Sequence, residues 1–137
     1  MPLWIGYALL AAVFAALVAI FGKVGVKEVD PTLATAVRSV VMAVFLVGAA
    51  LVLGKTQVSG ISARAFTFIV LSGLAGAASW LLYFIALRDG PATGVAALDR
   101  LSVVFVFVFA VAFLGDAFTA KAALGAMLVV VGAILLT

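Results

Sequence analysis

Three charged side chains lie inside long apolar stretches of this 137-residue sequence: Arg38, Asp99 and Arg100. Each would cost roughly 2.5–3.5 kcal/mol at the centre of a membrane-spanning helix, so each should have a partner or contact water. Arg38 follows Pro31 by seven residues, which places it about 10 Å along its helix at a rise of about 1.5 Å per residue. Asp99 follows Pro91 by eight residues and lies about 12 Å along its own helix. The matching depths predict an Arg38–Asp99 ion pair, and Arg100 then leaves one positive charge that suits an anionic group or water.

Polar and aromatic side chains are predicted at the same depth on a neighbouring helix. Trp80 lies eight residues before the charged end of its apolar stretch, and Ser79 and Tyr83 lie four residues apart on one helical face. Ser102 shares a face with Asp99. These residues could line a solute cavity with an aromatic wall and charged anchors. The alternative is a polar core in which the hydroxyls bond to backbone carbonyls and the ion pair fixes the helix register; the sequence leaves both open.

The composition excludes whole classes of function. Hydrophobic residues make up 69% of the chain and charged residues 9%, whereas a soluble protein has roughly 45–50% apolar and about 25% charged residues. A net charge of +3 provides no basic face for nucleic acid. The sequence has no Cys and no His, and its five acidic residues are scattered, so we expect no thiolate chemistry, metal site or cofactor. We therefore predict an integral membrane protein that is not an enzyme.

Charged residues, glycines and prolines divide the chain into five apolar stretches, each near the roughly 20 residues that a spanning helix needs. Asp30 and Pro31 are typical of an N-cap and a first helical residue, and Thr119 is typical of another N-cap. Gly90-Pro91 marks a helix end. The N-terminal stretch has no positively charged leader segment, so we interpret it as a retained helix. The sequence predicts an all-α, single-domain bundle of five transmembrane helices at about residues 3–22, 31–53, 63–87, 92–114 and 120–136.

Five crossings would put the two termini on opposite sides of the membrane. The positive charges that flank the helices divide three against three, so they do not select an orientation. The N-terminal side would carry Lys55, Arg64 and Lys121, and the other side Lys23, Lys27 and Arg88. This equal division predicts insertion in both orientations and an inverted homodimer. The alternative is one fixed orientation, set by a preference that these charges do not express.

Small residues form one face of the last predicted helix, where Gly125 and Gly132 lie seven residues apart. In lipid, small residues allow helices to approach closely, because packing rather than the hydrophobic effect drives their association. We expect this face to contact a second copy of the chain. Packing within one chain is the alternative.

Several segments resemble the EamA domain of the drug/metabolite transporter superfamily. They are residues 86–104, 113–116, 124–132 and 36–39. The first resembles the family's Ala-Leu helix ending, polar turn and small residues, and the second its Leu-Gly-Glu turn, with Asp116 in place of Glu. The third resembles its glycine-bearing last helix, and the fourth its Arg-containing second helix. Their order and spacing extend the resemblance over nearly the whole chain as one five-helix repeat.

The resemblance implies a small secondary transporter or exporter of a metabolite. Most members of the superfamily contain two such repeats in inverted orientation, so a single repeat implies an inverted (antiparallel) homodimer that works by alternating access. Helices 1–4 of both copies would line its cavity, in the inner (plasma) membrane of a bacterium or archaeon. The first helix lacks the membrane-embedded Glu of the small multidrug-resistance relatives, so proton-coupled cation export of that kind is not expected.

We expect an unidentified small-molecule substrate to contact Arg38 or to alter its pairing with Asp99. The predicted substrate-binding residues are Arg38, Ser79, Trp80, Tyr83, Asp99, Arg100 and Ser102. Two other functions stay open: a flippase-like carrier of a lipid-linked solute, and a structural or assembly subunit of the membrane without a transport role. An open lateral groove between helices would favour the first, and a dry Arg38–Asp99 pair would favour the second.

Overall fold

The computed structural model describes residues 2–58 and 60–137, and every regular element within these ranges is helical. The elements are α1 (Leu3–Gly25), α2 (Pro31–Val52), α3 (Ala63–Asp89), α4 (Ala92–Asp99), α5 (Ser102–Phe109) with a π-helical turn (Ala110–Leu114), and α6 (Ala120–Leu135). The predicted all-α class is therefore confirmed for the described part of the chain.

Four helical stretches are long and apolar enough to cross a membrane: α1, α2, α3 and the stretch Ala92–Leu114, which contains α4 and α5. The last helix, α6, has 16 residues. At about 1.5 Å per residue it is about 24 Å long, which is shorter than the roughly 30 Å of the hydrocarbon core. The structure therefore agrees with a helical membrane protein, and the fifth crossing stays a prediction.

Local side-chain hydrogen bonds set where two of the helices begin. Asp30 Oδ1 accepts hydrogen bonds from the backbone N–H groups of Thr32 (2.9 Å) and Leu33 (3.3 Å) at the start of α2. Thr119 Oγ1 accepts one from the N–H group of Ala122 (3.2 Å) at the start of α6. Each bond satisfies a donor in the first helical turn that has no partner within the helix. Both N-caps are the ones that the sequence predicts.

The fourth predicted helix, residues 92–114, is not continuous. It is interrupted at Arg100 and Leu101, where the N–H group of Leu101 bonds to Leu98 O at 3.0 Å, three residues earlier instead of four. Such bonds tighten a helical turn. The interruption coincides with an ion pair between the adjacent residues Asp99 and Arg100, which would not face each other on a regular α-helix.

The chain forms two compact units, and the first contains the residues up to Lys23 together with Asp89–Thr137. In this unit α4 and α5 pack against α6. The close approach is at Gly94 of α4, which is buried. A Cβ atom added there would lie 3.5 Å from Leu136 O, in van der Waals contact, and 3.3 Å from Pro91 Cγ, so any other residue would require a small displacement of the Pro91 ring.

The second unit is Val24–Arg88, which contains α2 and α3. Arg88 Nη1 lies 3.7 Å from Asp30 Oδ2 and so joins the end of α3 to the start of α2. Both side chains are more than half exposed, so this ion pair contributes little to stability. Among the described residues of the unit, Val26, Pro31, Thr35, Phe84 and Leu87 are buried. The single-domain organisation stays a prediction.

Candidate functional site

An open groove lies between α2 and α3 in the second unit, with a volume of about 570 Å³. Pockets for small molecules typically measure about 300–1,000 Å³, so the groove is large enough for a metabolite. The α2 side presents one charged residue, one serine and several apolar residues, and the α3 side presents small residues and an indole. The residues that line this α2–α3 groove are Arg38, Ser39, Met42, Ala43, Leu46, Gly73, Gly76, Ala77 and Trp80.

Arg38 and Trp80 contact each other across the α2–α3 groove. Arg38 Cζ lies 3.7 Å from the centroid of the Trp80 ring and 5.7 Å from the centroid of the Phe84 ring. The negative face of an aromatic ring stabilises a cation by about 0.5–2 kcal/mol, with the larger values where water is excluded. The sequence places Arg38 and Trp80 at one depth, and the structure brings them into contact. Their binding of a substrate stays a prediction.

Trp80 belongs to a cluster of three aromatic side chains on α3. Its ring centroid lies 5.4 Å from that of Tyr83 and 6.2 Å from that of Phe84, at interplanar angles of 75° and 69°. Edge-to-face contacts of this kind are favourable and orient the indole beneath Arg38. Phe84 is only 4% exposed and is absent from the predicted site. Its spacing of four residues from Trp80, on the same helical face, is the signal that could have identified it.

Two hydroxyl groups on α2 bond to their own helix. Thr35 Oγ1 donates to Pro31 O at 2.7 Å, and Ser39 Oγ donates to Thr35 O at 2.8 Å. These two side chains therefore agree with the alternative of a polar core, in which hydroxyl groups bond to backbone carbonyls. Ser79 is exposed on α3, and Ser102 is exposed at the start of α5. Contact of either serine with a substrate stays a prediction.

Asp99 and Arg100 belong to the first unit and pair with each other. Arg100 Nη1 lies 3.9 Å from Asp99 Oδ2, and the two side chains are 52% and 38% exposed. Arg38 belongs to the other unit, so its ion pair with Asp99 stays a prediction, as does the binding of substrate by Asp99 and Arg100. Among residues 2–58 and 60–137, no three His, Cys, Asp or Glu side chains gather where they could hold a metal ion.

Charged side chains also bond to the backbone at the helix ends. Lys23 Nζ donates a hydrogen bond to Gly90 O at 2.8 Å, between the end of α1 and the turn before α4. The carboxylate of Asp30 accepts from the backbone N–H group of Leu33 and from that of the preceding residue. These bonds, with a smaller contribution from the charge of Arg88, hold the pKa of Asp30 below its ordinary value of 3.8. Asp30 is therefore a carboxylate at neutral pH.

Comparison with known proteins identifies a family and a similar protein. The EamA-like transporter family matches residues 2–137. A protein of Sinorhizobium sp., described as an uncharacterized transporter in the cobO 3' region, is 45% identical over 134 residues, which are 97% of this chain and 95% of the relative. No solved structure matches the chain.

Proposed function

The chain belongs to the EamA-like transporter family, and from this membership we propose that it is a secondary transporter that moves a small anionic metabolite across the membrane. The similarity to a protein described as a transporter supports transport rather than an enzymatic reaction. Four long apolar helices support an integral membrane location. The proposed location is the inner (plasma) membrane of a bacterium or archaeon.

The observation that carries the proposal is the position of Arg38 in the α2–α3 groove, over the ring of Trp80. The ring stabilises the guanidinium without neutralising its charge. A guanidinium above a ring keeps N–H groups at its edge, and two of them together match the oxygens of one anionic group. Arg38 can therefore bind an anion and keep a favourable contact with Trp80 after the anion has left. Reversible binding of this kind is what a carrier needs.

We propose further that two copies assemble in opposite orientations and alternate between the two sides by rocking one copy against the other. The equal division of flanking positive charges supports this arrangement. The proposed contact is on α6, around Gly125 and Gly132. Gly125 is exposed, and a Cβ atom at either glycine would meet no other atom within 4 Å, so a partner helix could approach closely. Ala133 on the same helix is only 3% exposed and packs within its own unit. At that position the structure agrees with the alternative, in which the helix packs within one chain.

The openness of the α2–α3 groove also favours a second candidate function. Met42 and Leu46, which line the groove, are 38% and 58% exposed. A groove with such an exposed apolar margin could accept the head of a lipid-linked solute while the lipid tail stays in the bilayer. The second candidate is therefore a flippase-like carrier.

Reconstitution into liposomes tests the proposal. Flux should be measured for a panel of amino acids, organic anions, organic cations and a lipid-linked sugar, with wild-type protein and with Arg38→Ala. The matched control is Phe45→Ala, which truncates a large exposed side chain of α2 outside the groove and leaves the flanking charges unchanged. We expect flux of an anion that Arg38→Ala abolishes and Phe45→Ala keeps.

Three outcomes would change the proposal. Normal flux through a folded Arg38→Ala dimer would show that Arg38 is not the anchor. Flux of the lipid-linked sugar alone would favour the flippase-like carrier. No flux of any compound by the wild-type protein would favour a structural subunit.

A further inference from the structure

We propose that the α2–α3 groove selects a small monocarboxylate with a compact apolar body. This inference rests on the proposed function, because it names the class of substrate that would be carried. It concerns binding, however, and binding can be measured without transport.

The charge of the groove limits the charge of the ligand. Arg38 is the single charged side chain among the described residues that line the groove. One guanidinium can neutralise one negative charge, and a second negative charge would be left among apolar side chains without a partner. A phosphate monoester carries about −1.5 to −2 at neutral pH, so it fits the groove less well than a carboxylate does. A carboxylate also matches the planar guanidinium with both of its oxygens.

The remaining lining limits the chemistry of the ligand's body. Beyond Arg38, the α2 side consists of apolar residues and Ser39, which donates its hydroxyl hydrogen bond to Thr35 O. The ammonium group of an amino acid would meet this apolar lining and the like charge of Arg38. The body of the ligand is therefore apolar, and a zwitterion is disfavoured.

Two glycines on α3 provide the space for that body. A Cβ atom added at Gly73 or at Gly76 would meet no other atom within 4 Å, although both residues line the groove. A side chain at either position would therefore begin in open space, and we expect it to occupy part of the groove, so these positions set the size of the ligand. A two-chain acidic lipid also carries a single negative charge, but the volume of about 570 Å³ suits a small acid better.

Trp80 provides a direct measurement of binding. The chain has two tryptophans, so Trp4→Phe, at an exposed position on α1, leaves Trp80 as the sole indole. The variant, in nanodiscs of phosphatidylcholine, should be titrated with cyclohexanecarboxylate while the emission of Trp80 is recorded. The comparison compounds share the ring: cyclohexylamine, cyclohexanecarboxamide, cyclohexane-1,2-dicarboxylate and cyclohexyl phosphate. We expect the monocarboxylate to bind at least tenfold more tightly than each of them.

Variants in the same background test the two determinants. Arg38→Ala should weaken binding of the monocarboxylate by roughly ten- to a hundredfold, which is the usual range for the loss of a charge-assisted contact. Arg38→Lys keeps the charge and loses the planar fork, so it should weaken binding less. Gly76→Leu should weaken binding of the ring-bearing acid at least tenfold. Gly6→Leu, an equal change at an exposed glycine of α1 outside the groove, should leave binding unchanged.

Several results would overturn the inference. The inference is wrong if the dicarboxylate, the phosphate, the amine or the amide binds as tightly as the monocarboxylate, or if no compound binds. It is also wrong if a folded Arg38→Ala or Gly76→Leu protein binds the monocarboxylate as tightly as the protein without that substitution. If phosphatidylglycerol in the nanodiscs changes the emission and excludes the monocarboxylate, the groove binds a lipid. Binding of the monocarboxylate without its flux in liposomes would leave this inference intact and remove the proposed function.

Discussion

The guanidinium carbon of Arg38 lies 3.7 Å from the centroid of the Trp80 ring, in the groove between α2 and α3. This contact stabilises a charge that would be costly in an apolar helix. An ion pair would stabilise the same charge by neutralising it, whereas the face of an aromatic ring leaves it available. The contact therefore explains how Arg38 can be tolerated in α2 and still attract an anion.

The contact between Arg38 and Trp80 predicts a measurable coupling. Arg38→Met and Trp80→Leu, made singly and together, form a double-mutant cycle for thermal unfolding in detergent. We expect a coupling free energy of about 0.5–2 kcal/mol, because the cation and the ring stabilise each other. Tyr7→Leu replaces Trp80→Leu in the control cycle, since Tyr7 is an exposed aromatic residue on α1. Equal coupling in the two cycles would show that the contact does not contribute.

The N-cap of α2 predicts a pH dependence of stability. Backbone N–H bonds, that of Leu33 foremost, lower the pKa of Asp30 in the folded chain. The ionised carboxylate therefore contributes stability that is complete well above its ordinary pKa of 3.8 and is lost as the pH falls through the lower folded value. Asp30→Asn keeps an N-cap acceptor and removes the titration. The melting temperature of this variant should fall less than that of the wild type on acidification below 3.8.

Circular dichroism in an acid-stable detergent provides the melting temperatures for this comparison. The matched control is Asp116→Asn, which removes a carboxylate in the linker before α6. The melting temperature of Asp116→Asn should depend on acidification as that of the wild type does. If Asp30→Asn also keeps that dependence, the N-cap does not account for it.

The close approach of α4 and α6 predicts that replacing Gly94 with a larger residue destabilises the protein. A Cβ atom there would lie 3.5 Å from Leu136 O and from Thr137 Cγ2. Gly94→Val should therefore lower the free energy of unfolding by about 1–3 kcal/mol, the usual effect of overpacking. Gly48→Val makes the same change in α2, where a Cβ atom meets nothing within 4 Å, and should have a smaller effect. Equal losses, measured by thermal unfolding in detergent, would mean that helix propensity rather than packing determines the result.

The equal division of positive charges predicts that one lysine can shift the orientation of the chain. Lys27 is exposed between α1 and α2. In Lys27→Gln, two positive charges would remain on that side against three on the N-terminal side, so molecules with a cytoplasmic N-terminus should become more abundant. Reporter tags at the N-terminus measure the two populations. Glu28→Gln is the control, because acidic residues have little influence on orientation. A single population in the wild-type protein would contradict the inverted dimer.

The sequence predicts those features that depend on local bonds or on distance along one helix. The N-caps at Asp30 and Thr119 need only neighbouring residues, and the shared depth of Arg38 and Trp80 follows from the rise of a helix. The interruption at Arg100 and Leu101 is different, because no glycine or proline between residues 95 and 114 marks it.

Contacts between helices are harder to predict from an apolar sequence. The spacing of Phe84 from Trp80 places both on one helical face, but the sequence does not reveal that Phe84 is buried, because an apolar side chain is favourable against lipid and against protein alike. The ion pair of Asp99 with the adjacent Arg100 depends on the local turn, which the sequence does not reveal. The predicted pair of Arg38 with Asp99 depends on how whole helices are arranged, which depth alone does not determine.

The central claim is that the α2–α3 groove is a water-accessible site for the substrate, and thiol labelling tests it most directly. The chain has no cysteine, so Met42→Cys places a single thiol in the groove and Val44→Cys places one on an exposed part of α2 outside it. A charged, membrane-impermeant thiol reagent reacts with thiolate, which forms in water and not in lipid. We expect the reagent to modify Met42→Cys in liposomes, the transported anion to slow this modification, and Val44→Cys to stay unmodified. Equal modification of the two cysteines, or no modification of Met42→Cys, would contradict the account.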